Sequence, residues 1–293
     1  MTSAKNIIFS AVIVTLLVIG LLKWGAITVN SKTTVVAKET AYERILRTGE
    51  IRCGYSVWKP DMWIDPISGE KVGIFPDLIT EAGKRLGLKI IWQEELGWGS
   101  LVESVKSGRV DMACAGYWLN PSRIKNLQPS VSQIYSPMYV YMRADDTRKF
   151  TTPEDLNADH YTISTIDGSA EKQIIALRFS KSKNITLPEL DDSSEVIQDL
   201  TTHKADFLIL DSATANSYMQ SNPGKIKNAF PNVPMHMFPT VMLLPPEEPA
   251  LKGMIDNILL DIEHDGTLDV ILRKYDAAPL FLRNQQPIAL AAK

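Results

Sequence analysis

The sequence predicts an α/β protein of two domains, in which mostly parallel sheets are covered by helices on both faces. Three observations predict it. A chain of 293 residues is long enough for roughly two domains. Between Ile51 and Tyr275 short β-rich runs alternate with helical periodicities, the pattern of parallel strands joined through helices. Hydrophobic residues make up 45% of the chain and charged residues 22%. That ordinary globular balance excludes a disordered, collagen-like or polytopic membrane protein.

The elements are expected in this order. Ile51–Val57 reads as a short strand, and Asp77–Leu86 as a helix whose apolar face carries Leu78, Ile79, Ala82 and Leu86. A strand is expected over Lys89–Gln93, then a helix over Ser100–Lys106 that stops at Ser107-Gly108. Asp111–Gly116 and Ser136–Arg143 read as strands. Thr152-Pro153-Glu154-Asp155 is a helix start, with Thr as cap and Pro in the first turn. Tyr161–Thr165 reads as a strand, and Gly168-Ser169 opens a helix reaching about Phe179. A helix over Ser193–Thr202, a strand over Ala205–Leu210 and a helix over Asp211–Gln220 follow. Val241–Leu244 closes the strands, ahead of helices at about Glu248–Glu263 and Thr267–Tyr275. The tail after Ala277 has no clear period and is expected to trail over the surface.

Residues Ile7–Leu22 form one uncharged apolar run between Lys5 and Lys23. As a helix the run spans about 24 Å, and extending it through Trp24–Ile27 reaches about 30 Å, the thickness of a bilayer core. Residues 1–28 are therefore read as a signal or anchor helix, held in the membrane by residues 7–27. Val29-Asn30-Ser31 is the best small-residue cleavage site and lies far from the run, so an uncleaved anchor is preferred. Residues 29–40 are polar and read as a tether. The remainder is expected outside the cytoplasm.

Composition and motifs narrow the chemistry further. With 31 basic and 34 acidic side chains the net charge is −3, so no basic excess draws in nucleic acid. The four histidines are scattered, and no sequence-local metal motif, phosphate loop, GxGxxG or GxSxG is present. No metal and no cofactor is expected.

The motifs that remain carry a resemblance. Gly49-Glu50-Ile51-Arg52 leads to Gly54, and Lys71-Val72-Gly73 precedes Asp77-Leu78. Trp98–Leu101 (WGSL), Ser107-Gly108-Arg109-Val110-Asp111 and Ala115-Gly116 through Pro121-x-Arg123 follow in order. Thr152–Leu156, Gly168-Ser169, Lys204-Ala205-Asp206 with Asp211, and His264–Leu268 complete the series. Together they resemble the solute-binding proteins of family 3, which capture polar amino acids for ABC transporters. The resemblance implies a type II periplasmic-binding-protein fold: two α/β lobes joined by two crossings, near Arg143 and near Phe238-Pro239. Lobe 1 is expected over 41–142 plus 239–293, and lobe 2 over 143–238. The ligand is expected in the crevice between them.

The resemblance also implies site residues. Arg123 matches the arginine that grips a ligand carboxylate, and Asp211 the lobe-2 carboxylate that meets a ligand ammonium. A plain surface Arg and a plain helix cap are the structural alternatives for these two. Gly168-Ser169-Ala170 opens a helix whose free amides suit a carboxylate, with Ser169 and Ala170 as contacts. Gly116 and Trp118 border the pocket, and the indole of Trp118 stands where many amino-acid binders carry Ser or Thr. Trp58 and Trp63 are the aromatic candidates in the first loop, while Trp98 is expected to pack below the crevice. Cys53 and Cys114 fall on strands that this fold places side by side. They are read either as a disulfide or as two buried thiols.

The expected function is a monomeric extracytoplasmic binding protein. It takes an amino acid or related zwitterion and delivers it to an ABC-transporter permease, with no catalytic residue. Two alternatives stand beside it. One is a cyclohexadienyl-dehydratase-like enzyme on the same fold, with Asp211 or Glu171 as general acid. The other is a membrane-anchored sensor, which would need a partner because only six residues precede the apolar run.

Overall fold

The computed structural model describes residues 39–275. The apolar run Ile7–Leu22, the anchor range 7–27, nearly all of the tether and the tail after Ala277 lie outside the described residues. Among the described residues no helix is long and apolar enough to cross a membrane.

Twelve strands are described: β1 (Glu50–Tyr55), β2 (Trp63–Ile64), β3 (Lys71–Val72), β4 (Lys89–Glu95), β5 (Met112–Trp118) and β6 (Gln128–Pro129), then β7 (Ile134–Arg143), β8 (Thr162–Ile166), β9 (Lys183–Leu187), β10 (Leu208–Asp211), β11 (Ile226–Asn228) and β12 (His236–Leu244). The main sheet runs β10-β7-β12-β5-β1-β4, with β11 on β7 and β6 on β12. As the alternating pattern predicts, β1 is parallel to β4 and to β5, and β8 is parallel to β9. Every residue of β5 is buried, which is why its sequence is one apolar run rather than an alternation.

The two long strands depart from the parallel expectation. β7 and β12 lie antiparallel, from His236↔Met138 to Thr240↔Ile134. Beyond that stretch β7 pairs antiparallel with β10 and β11 out to Arg143, while β12 pairs antiparallel with β5. One strand carries the chain out and the other brings it back, so their directions must oppose. Both start earlier than expected: β7 at Ile134 rather than Ser136, and β12 at His236 rather than Val241, where Pro239 interrupts the apolar pattern.

Three buried clusters flank the sheet. One joins Ile51, Phe75, Leu78 and Ile79 to Ile255 and Leu259 of the helix Pro249–His264. A second gathers Leu101, Val105, Tyr117 and Leu243. The third is built around Ile163, Phe179, Leu200 and Phe207, and Trp58 and Trp118 reach into it.

Two local features escape periodicity. The helix Ala41–Thr48 follows directly where the tether was expected to end. Thr40 and Glu43 form a reciprocal capping box, and the Glu248 carboxylate accepts from the Ala41 and Tyr42 amides. The T-x-x-E spacing is the signal that marks it. Strand β9 (KNITL) is mostly exposed, so it carries no buried apolar run.

Cys53 and Cys114 form a disulfide, with Cα atoms 5.4 Å apart. The register Cys53↔Met112 places the two side chains diagonally across the β1–β5 pair. This decides between the two readings left open by the sequence: the buried thiols are bonded.

Candidate functional site

The crevice is built from loops at the ends of β1, β5, β8 and β10. At the end of β5, the Asn120 side chain accepts from the Arg123 amide at 2.9 Å and caps the helix Pro121–Asn126, with Pro121 in its first turn. The cap turns Arg123 inward, where only 2% of the residue is exposed. Its Nη1 donates to the Trp118 carbonyl at 2.6 Å, and Nη2 lies 3.4 Å from the carbonyls of both Trp98 and Gly168. The guanidinium lies 5.7 Å from the Trp98 ring and 5.9 Å from the Tyr117 ring. Its Nε has no hydrogen-bond partner among the described residues. Burial pulls its pKa down to about 10, against the opposing pull of Tyr117 and Glu171, so it stays a cation at neutral pH.

After β1 the chain makes a tight turn in which Trp58 and Met62 exchange backbone bonds of 2.7 and 2.8 Å. The turn buries Asp61, and its Oδ1 finds no partner among the described residues. Gly116 permits that approach: a methyl group there would sit 2.5 Å from the Phe75 ring and 2.7 Å from the Asp61 carboxylate. Burial first, and the charge of Asp211 second, push the Asp61 carboxyl well above the usual carboxylate range.

On the opposite side, β8 ends in a turn with Gly168 at φ +71°. Ser169 and Ala170 follow, and Glu171 begins the helix Glu171–Arg178. Glu171 is buried, and desolvation pushes its carboxyl up to about 7, while hydrogen bonds from its own backbone and from Ser169 restrain the rise. Asp211 caps the helix Ser212–Ser221, accepting from the Thr214 amide at 2.8 Å. Its second oxygen accepts from the Trp58 indole at 3.3 Å. Burial raises its carboxyl too.

Trp58, Trp98 and Trp118 line the enclosed space with Asp61, Arg123 and Glu171, and Gly116, Ser169 and Ala170 complete the wall. The indole of Trp58 meets both others edge to face at 5.9 Å. Trp118 stacks on Phe238 and donates to the Thr240 hydroxyl at 3.2 Å. The space left is about 10 Å³, roughly the room one water molecule needs. An amino-acid-sized solute enters only if these walls part.

Six sequence-predicted residues therefore share one wall: Trp58, Gly116, Trp118, Arg123, Ser169 and Ala170. Asp211 stands behind it, joined through the Trp58 indole. Trp63 is not part of the wall. It pairs with Val72 in a two-stranded ribbon and packs on Tyr275 at 5.6 Å. Trp98, expected only to pack, borders the space directly. Asp61 was missed, because an isolated Asp in a loop carries no sequence signal of burial. The arrangement offers one fixed cation, several desolvated carboxylates and aromatic walls. Among the described residues no cluster of His, Cys, Asp and Glu is placed to hold a metal ion.

The bacterial extracellular solute-binding proteins, family 3, match residues 51–277. The chain belongs to that family. A “Probable histidine-binding protein” of Campylobacter jejuni is 24% identical to this family 3 protein over 153 residues, 52% of the chain and 56% of that relative. Among solved structures, the ancestral amino acid-binding protein AncCDT-1, a precursor of cyclohexadienyl dehydratase, superposes with a TM-score of 0.71 at 22% identity, covering 80% of this chain and 99% of that one. A mutant of ArgBP from T. maritima gives a TM-score of 0.71 at 22% identity over 81% and 100% of the two chains. These likenesses carry the two-lobed fold expected from the sequence. The chain spans little more than half the length of the curated relative.

Proposed function

We propose that this family 3 protein captures an amino-acid-like zwitterion by closing two lobes on it, and delivers it to an ABC-transporter permease. The lobes in this reading are 41–142 plus 239–293 and 143–238, hinged where β7 and β12 run side by side. One observation carries the proposal. Arg123 is a buried guanidinium with an unpaired Nε at a crevice whose far side is Gly168–Glu171. A buried cation without a carboxylate partner is costly, and a ligand carboxylate offers it a charge-assisted pair. Asp211, joined to the crevice wall through the Trp58 indole, takes the ligand ammonium in this reading. The names of the histidine-binding relative and of the ancestral amino acid-binding protein agree with such a ligand. The apolar run Ile7–Leu22 exports the chain in this reading and holds it at the membrane surface, which fractionation after an alkaline wash tests.

The decisive experiment is a thermal-shift screen of amino acids and related zwitterions, since a ligand raises stability by RT ln(1 + [L]/Kd). The best ligand is then titrated by calorimetry. Arg123→Ala and Asp211→Ala are each expected to weaken binding at least tenfold. Titrations indistinguishable from wild type would remove this reading.

A second reading rests on Glu171. A buried carboxyl at about 7 is partly protonated at neutral pH, and a general acid needs that protonated form. It would protonate the departing ring hydroxyl of a cyclohexadienyl acid as water and carbon dioxide leave. Incubation with such an acid, watching for aromatic absorbance, tests it; a flat trace disposes of it.

A further inference from the structure

We propose that Glu189 is a positioning residue for ligand capture: it clasps the Trp98-Gly99 segment across the crevice and, without touching the ligand, sets how long the crevice stays shut. The inference rests on the amino-acid reading above and adds a residue that regulates the same site.

Glu189 is half-buried and follows Pro188 just past the end of β9. It grips the opposite segment twice. Its carbonyl accepts from the Trp98 amide at 3.2 Å, and its Oε2 accepts from the Gly99 amide at 2.9 Å. Two glycines make the slot for its side chain. A methyl group on Gly97 would sit 2.6 Å from Oε1 of Glu189, and one on Gly99 would sit 2.4 Å from Oε2.

Both ends of the clasp lead into the crevice wall. On one side the Trp98 ring borders the enclosed space, and the Trp98 carbonyl lies 3.4 Å from Nη2 of Arg123. On the other, the Leu187 carbonyl accepts from the Asp167 amide at 2.9 Å, one residue before the turn that carries Gly168, Ser169 and Ala170. Glu189 itself does not line the space. Two of the other bonds that cross here end on the proposed grip: Asp211 holds the Trp58 indole, and Arg123 reaches the Gly168 carbonyl. A ligand competes for those two and leaves Glu189 alone.

In the two-lobe reading Glu189 belongs to lobe 2 and Trp98-Gly99 to lobe 1, so both bonds exist only where the lobes meet. A contact made in one state alone shifts the equilibrium towards that state. The bond from an amide to a carboxylate is charge-assisted, the stronger kind. It forms after the solute has entered, so its loss is expected in the off-rate rather than the on-rate.

The test uses the full chain. A thermal-shift panel of the common L-amino acids selects the one that serves as probe, and stopped-flow fluorescence gives its rates. Glu189→Ala is expected to raise the off-rate at least fivefold with the on-rate nearly unchanged. Glu189→Gln keeps an acceptor for the Gly99 amide and should recover most of that loss. Gly97→Ala, at a position whose backbone lies outside the left-handed region, displaces the same carboxylate. It should raise the off-rate as well, but add little on top of Glu189→Ala. An off-rate unchanged by Glu189→Ala, with or without a loss of stability in urea, overturns the inference, and so do effects of the two variants that simply add. If no amino acid binds, the amino-acid reading falls by itself. The clasp is then judged by the distance between spin labels on Glu103→Cys and Leu177→Cys, two exposed positions in lobes 1 and 2 of that reading. Glu189→Ala should lengthen that distance, and an unchanged distance overturns the inference.

Discussion

The indole N–H of Trp58 donates to Oδ2 of Asp211 at 3.3 Å, joining side chains 153 positions apart. The Thr214 hydroxyl donates to the Lys59 carbonyl at 2.8 Å and fastens the same turn to the same helix. The loop after β1 is thereby tied to the far side of the crevice. Opening the crevice at this point breaks two hydrogen bonds and exposes a carboxylate that burial has made hard to ionise.

Trp58→Phe keeps the ring and removes the donor. Asp211 is 2% exposed, so the lost bond to a buried carboxylate is expected to cost about 1–3 kcal/mol. Urea unfolding at pH 8 checks the magnitude. The loss should narrow in acid, where a protonated Asp211 needs the donor less. A variant as stable as wild type at pH 8 contradicts this account.

Glu171 links stability to pH. Its carboxyl is raised from 4.5 to about 7 in the folded protein. A raised carboxyl contributes stability fully below the unfolded value and loses it as pH climbs through the folded one. Between roughly pH 4.5 and 7 the wild type should lose on the order of 3 kcal/mol from this group. Asp61 and Asp211 are raised too and act in the same direction. Glu171→Gln should therefore flatten the profile only in part, gaining on wild type as pH rises from 5 to 8. Parallel profiles would count against the assignment.

Gly168→Ala should act on the crevice rather than on either core. A methyl group there would lie 2.5 Å from the Gly99 nitrogen and 2.6 Å from its Cα. The φ of +71° adds backbone strain of about 1 kcal/mol. Gly99 belongs to the segment that faces Gly168 across the crevice, so the clash holds the two apart. Ligand affinity is expected to fall at least tenfold while circular dichroism stays native. Unchanged affinity would show that the two segments need not approach so closely.

The Cys53–Cys114 bridge closes a loop of 61 positions. In the chain-entropy account such a loop is worth about 4 kcal/mol. The Cys53→Ser/Cys114→Ser double variant should lose about 2–5 kcal/mol in denaturant titration. A reductant added to the wild type should bring its midpoint towards that of the variant.

Much of the architecture was legible because it rests on local repetition. The apolar run of β5, the amphipathic helix at Ile74–Leu86 and the Asp that caps Ser212–Ser221 each announce themselves within a few residues. Arg123 was legible through its place after Gly116 and Pro121, and the Asn120 cap that turns it inward is itself a local signal. Trp63 and Trp98 exchanged roles for the opposite reason. An aromatic in a loop looks the same whether it packs on Tyr275 or borders the crevice, and only the fold of the segment around it decides.

By itself the sequence determined the α/β class, the order of the principal strands and helices, the membership of family 3, and the candidates for a carboxylate grip and an ammonium partner. The tertiary structure decided the antiparallel course of β7 and β12, the bond between Cys53 and Cys114, and which acids lose their water. The physical reason is desolvation and pairing at long range. Asp61, Glu171 and Asp211 are unremarkable acids along the chain, and they become a strained group only when distant segments exclude solvent from all three.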